Sequence, residues 1–80
     1  MTLDEAKAEI IKNRERAPYL SEWVHLKSNG RYVVKFHVII EATLEPAVVY
    51  YPRHGDPAIT WCRPASEFFD GRFERVEKNS

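Results

Sequence analysis

Three histidines, His25, His37 and His54, and a single cysteine, Cys62, are the side chains best suited to metal binding or nucleophilic chemistry. Their spacing serves neither. A structural zinc site needs clustered cysteine and histidine ligands, and these four are scattered. A Cys–His pair can act as nucleophile and base. Cys62, however, sits in an apolar β-type run and reads as a small buried hydrophobe. His37 alternates with apolar neighbours and reads as a half-exposed strand residue. The chain carries no Gly-rich phosphate loop, serine-centred elbow or paired-carboxylate motif. It is expected to be no enzyme and to hold no metal or cofactor.

Binding chemistry is better represented. The stretch Thr43–Pro64 holds two apolar runs, Ala47–Tyr51 and Ala58–Cys62, around the loop Pro52-Arg53-His54-Gly55-Asp56-Pro57. Val, Tyr, Ile, Thr and Trp favour a pleated surface, and Pro, Gly and Asp favour a turn. The candidate ligand-binding residues are Tyr50, Tyr51, Arg53, His54, Asp56 and Arg63. Tyr50 and Tyr51 must point to opposite faces of a strand, so one faces outward. With Trp23 and Trp61 they can form a stacking platform, flanked by Arg31, Arg53, Arg63, Arg72 and Arg75. The competing reading fills the core with these aromatics and pairs the arginines with nearby acids. Arg63 shares a face with Trp61, and a structural ion pair with Glu45 or Glu67 is the favoured role for it. His54 is either a solvated loop residue or part of a binding loop.

Composition narrows the choice. Eighty residues, 44% apolar and 12% aromatic, suffice for one domain with a modest core. Twelve basic and twelve acidic residues cancel, so no net field draws in nucleic acid or an anionic membrane. One cysteine excludes a disulfide scaffold and fits a reducing compartment. No apolar run approaches a membrane span, and the acidic, amphipathic N-terminus is unlike a signal peptide. The cytoplasm is the expected location.

The elements that must position these residues follow in order. Met1–Arg16 reads as a helix. Thr2 to Glu5 has the capping-box form, Leu3, Ala6 and Ile10 share a face with Ile11 beside it, and Pro18 disfavours helix at Ala17. The narrow stripe marks the helix as a peripheral addition. Glu22–Leu26 is a short strand, and Asn29-Gly30 a hairpin turn. In Arg31–Ile40 the residues Tyr32, Val34, Phe36, Val38 and Ile40 alternate as one apolar face. The central hairpin follows, and Arg63-Pro64 ends its second strand. Ala65–Phe69 reads as a helical turn with Ser66 as its cap, and Arg72–Val76 as a last strand. The predicted fold is mainly β (α+β). It is a small SH3-like antiparallel barrel or roll of about five strands, with an added N-terminal helix and a helical turn before the last strand. The divisions are a helix over 1–17, a barrel over 22–76 and a flexible tail over 77–80. Val34, Phe36, Val38, Val49, Ile59, Trp61 and Phe68 are the expected core.

Three blocks of residues resemble a small bacterial family of unknown function with an SH3-like barrel. His25-Leu26-Lys27 with Gly30 and Tyr32 is similar to its H-aromatic-K-G-x-x-Y opening. Thr43-Leu44-Glu45-Pro46 with Val48-Val49-Tyr50 is similar to its T-x-E-x-x-V-V-Y. Trp61-Cys62-Arg63-Pro64 with Phe68 is similar to its W-V-R-P-x-x-x-F. The likeness covers Trp23 to Val76. The family's polar A-R-H-S/T-like segment is here Val38-Ile39-Ile40-Glu41, and Cys62 replaces a valine. The resemblance implies the barrel and no activity.

The functional expectation is an interaction module that binds a protein or peptide partner. The alternatives are a nucleic-acid-associated module and a self-associating structural protein, a homodimer for example. No membrane partner is expected.

Overall fold

The structure, a computed structural model, describes residues 1–77. Five antiparallel strands form one unclosed sheet in the order β4-β3-β2-β1-β5. The strands are β1 (Glu22–His25), β2 (Gly30–Ile40), β3 (Glu45–Pro52), β4 (Trp61–Pro64) and β5 (Phe73–Arg75). Helix α1 (Leu3–Arg16) precedes them, and a short helix α2 (Ala65–Glu67) leads through a wide turn, Phe68–Arg72, into β5. The expected helix, five strands and pre-terminal helical turn are all present. The tail expected over 77–80 lies, apart from Glu77, outside the described residues.

Helix α1 begins as its sequence dictates. The Thr2 hydroxyl accepts from the Glu5 amide at 3.2 Å, and the Glu5 carboxylate accepts from the Thr2 amide at 2.9 Å. This closes the capping box and satisfies two otherwise unpaired donors. The buried face is Ala6, Ile10 and Asn13, while Leu3 and Ile11 are exposed. The helix packs on β2 and β3. The β1–β2 connection depends on Asn29, which adopts φ +61°. Asparagine tolerates this left-handed conformation better than most residues. Gly71 supplies the same need at φ +104° before β5.

Strand β2 departs from strict alternation. Val34 pairs with Tyr50, yet Phe36 pairs with Val49, so Lys35 is an extra residue. Such a bulge inverts the faces of everything beyond it. Tyr32 and Val34 keep the inner face, and His37, opposite the buried Val48, joins them. Phe36, Val38 and Ile40 move to the outer face. The expected core is corrected accordingly. Val34 and Phe68 are buried, Val38 and Val49 half-buried, and Phe36 is 54% and Trp61 50% exposed. Ile59 is also exposed, because β4 starts only at Trp61 and leaves it in the loop. Cys62 is exposed too, contrary to expectation. It lies on an edge strand opposite the half-buried Val49 of the outer face.

The core is chiefly aromatic. Trp23, Val34, Val48, Tyr50, Phe68 and Phe73 form it, with Ala17 and Ala65 filling gaps. Phe68 and Phe73 stack at 4.5 Å between ring centroids, and Trp23 meets Phe68 edge-on at 5.1 Å. Such pairs add to the burial of their large apolar areas. The buried Trp23 indole N–H donates to Ser21 Oγ at 3.0 Å. Helix α2 has no side-chain cap, so Ser66 does not play the expected role.

Candidate functional site

Because β4 and β5 do not pair, the inner face opens between them as a groove of about 540 Å³. Each strand contributes to it. His25 comes from β1, Tyr32 from β2, Tyr50 from β3, Trp61 and Arg63 from β4, and Phe73 from β5. Trp61 and Arg63 share a face because they are two residues apart on one strand. Their partners are Tyr50 and Val48, both inner residues. Edge position leaves the Trp61 indole half exposed at the rim.

Arg63 is fixed within the groove. Its Nε donates to the Tyr50 hydroxyl at 3.2 Å, and its Nη1 lies 3.4 Å from Glu67 Oε1. Its guanidinium also stands 5.6 Å from the centre of the Phe73 ring. The hydrogen bond to Tyr50, assisted by the Glu67 carboxylate, pushes the Arg63 pKa above its usual value. Arg63 therefore stays charged, and its position leaves it both structural and accessible. On the far wall His25 Nδ1 is 2.9 Å from Ser28 Oγ. The His25 ring is tilted against Phe73 at 4.9 Å.

The six candidate residues divide between two faces and a loop. Tyr50 is buried at 4% exposure and contributes its hydroxyl, not its ring face, to the groove chemistry. Tyr51 points to the outer face, as alternation requires. There it borders a second depression of about 410 Å³ with Tyr19, Leu20, Lys35, Arg53 and Thr60. Arg53 is ion-paired with Glu22, and Asp56 holds the loop by accepting from the Ala58 amide at 2.9 Å. His54 is exposed at the loop tip. The structure thus brings Tyr50 and Arg63 together, and separately Tyr51 and Arg53.

Residue type and spacing alone do not single out Glu22, His25 or Tyr32 as site residues. Glu22 is only 5% exposed and receives both Arg31 and Arg53. An acidic residue at the start of a strand gives no sign of such burial. Tyr32 was legible as inward-facing, and only the open sheet edge makes it line a groove.

Sheet and groove define a small α+β domain with one unclosed antiparallel sheet and an aromatic inner mouth. Comparison with protein-family models, curated proteins and solved structures finds no match. Among the described residues no cluster of His, Cys, Asp or Glu could hold a metal ion, and no helix is long and apolar enough to cross a membrane.

Proposed function

We propose that this domain is a non-catalytic interaction module that binds an extended segment of a protein partner in the groove between β4 and β5. The single observation that carries the reading is Trp61. A tryptophan half exposed at the rim of an aromatic groove, next to a fixed arginine, is the kind of anchor that dominates protein recognition. An extended chain, particularly a proline-containing one, suits such a surface because it loses little conformational freedom on docking. The strand layout and the three sequence blocks resemble an SH3-like family, and small barrels of that kind often present an aromatic peptide surface. That support is analogy of fold.

The nucleic-acid alternative draws on the same tryptophan. The arginines beside it are committed elsewhere. Arg63 and Arg72 both meet Glu67, and Arg72 also meets Asp70. Few free cations near Trp61 remain for phosphates. Tryptophan fluorescence separates the readings. Trp23 is buried, so replacing it with Phe leaves Trp61 as the reporter. Proline-containing peptides are expected to shift its emission, with weak dependence on salt. A shift caused only by oligonucleotides, and abolished by salt, transfers the groove to nucleic acid. No response to either class removes the groove as a site.

A further inference from the structure

A second surface lies away from the Trp61 groove. Strand β2 runs from Gly30 to Ile40, but β1 pairs with it only as far as Val33. The chain before β1 extends the pairing by one residue. Val34 donates its amide to Ser21 O at 2.9 Å and accepts at its carbonyl from the Leu20 amide at 2.8 Å. Beyond Val34 the strand pairs with β3 alone. Its other edge, Lys35–Ile40, therefore has no strand partner among the described residues. An unpaired edge is a template for an added strand.

Helix α1 stands beside this edge and makes it a groove of about 370 Å³. Ile10, Ile11, Val38 and Ile39 supply its apolar surface, and Lys7 and Arg14 its charge. No acid lines it. Neither cation is in an ion pair, since the pairs among the described residues engage Lys12, Arg31, Arg53, Arg63 and Arg72. Lys7 and Arg14 are two helical turns apart, with Ile11 between them on the same side. They form a cationic rail parallel to an apolar, strand-hungry edge. The His37 ring braces the edge against the end of α1. Its Nε2 is 2.7 Å from the Ala17 carbonyl, which can only accept, so Nε2 carries the proton.

We infer that the groove between α1 and the free edge of β2 takes an extended acidic peptide, which adds to the sheet as a strand. Main-chain hydrogen bonds to the edge would supply affinity. Acidic side chains on the face turned to α1 would meet Lys7 and Arg14, and the alternate apolar side chains would lie beside Val38 on the outer face. Charge selects this occupant. A second copy of the chain docked here by two-fold symmetry would bring the same two cations to both sides of one seam. That arrangement repels, whereas an acidic strand neutralises the rail. This site is independent of the Trp61 groove, and either can fail alone.

The test uses the full chain and a fluorescein-labelled peptide of alternating valine and glutamate, with a valine–lysine peptide as control. The acidic peptide is expected to raise fluorescence anisotropy, and the lysine peptide to leave it unchanged. Binding should slow amide exchange along Lys35–Ile40 and shift the resonances of Ile11 and Ile39. The exposed double substitution Lys7→Gln/Arg14→Gln, checked for an unchanged fold by its amide spectrum, should weaken binding about tenfold. Trp61→Ala should not affect it. Lack of binding at low salt overturns the inference. Equal binding of the lysine peptide, or shifts confined to the Trp61 groove, also overturns it. So does a dimer in sedimentation whose interface protects the same edge.

Discussion

Glu22 and Arg31 form a salt bridge at 2.7 Å in which the carboxylate is buried and the guanidinium half exposed. Arg53 joins the same carboxylate through its other oxygen. One buried acid thus ties β1, β2 and the end of β3 on the outer side of the sheet. The arginine at the base of the Pro52–Pro57 loop is in this sense a structural residue. The arrangement makes the two halves of the cluster unequal. Removing both cations strands a buried charge, while neutralising the acid frees two guanidinium groups that already reach water.

The first prediction follows from that asymmetry. Arg31→Ala/Arg53→Ala should destabilise the domain by about 2–4 kcal/mol, discounted from a fully buried pair because both arginines are half exposed. Glu22→Gln keeps an acceptor and should cost about 1 kcal/mol. Urea denaturation of the two variants measures the difference. An equal or reversed order would mean that the carboxylate is better solvated than its burial implies.

A second prediction sets two phenylalanines against each other. Phe68 is fully buried among Trp23, Tyr50 and Phe73, and Phe68→Ala should cost about 3–5 kcal/mol. Phe36 lies beyond the Lys35 bulge and is mostly exposed. Phe36→Ala should cost less than about 1 kcal/mol. Thermal melts that place the two variants together would contradict the inverted face of β2.

The Arg63–Tyr50 hydrogen bond yields a third. Tyr50→Phe removes the acceptor for Arg63 Nε and should cost about 1 kcal/mol. It should also loosen the guanidinium in the groove. Trp61→Ala, by contrast, should leave stability nearly unchanged and abolish peptide binding there. Calorimetric titration of both variants distinguishes an anchor that binds from a hydrogen bond that positions.

The fourth concerns acid. The Glu5 pKa is lowered, first by the hydrogen bond from the Thr2 amide and then by its contact with the Thr2 side chain. A group with a depressed folded pKa stabilises above its unfolded value and loses that contribution as pH falls through the folded one. The first turn of α1 should therefore fray only below the usual glutamate range. The Thr2 amide shift should follow this transition in an acid titration, and Glu5→Gln should flatten it. A Thr2 amide that ignores the Glu5 titration would show that the box is open in solution.

Local features were readable from the residues themselves. Thr2 and Glu5 announced the helix start because a cap needs only neighbours within one turn. Tyr50 and Tyr51 had to part company, since a strand alternates its sides whatever it packs against. The apolar runs around Pro52–Pro57 marked β3 and the approach to β4 for the same reason.

The remaining features depended on partners distant in sequence. Lys35 becomes a bulge only because β3 fixes the register on both sides of it, and that one residue moved Phe36 from the expected core to the outer face. Trp61 and Cys62 were apolar enough for burial, yet β4 is an edge strand with no strand beyond it among the described residues. Glu22 is buried where Arg31 of β2 and Arg53 of the loop after β3 converge on it, and a charge stays buried only when such partners are in place. Residue type and spacing determined which elements form and which side chains alternate. Only the tertiary structure decided which faces are covered, because burial belongs to a pair of surfaces and a sequence states one of them at a time.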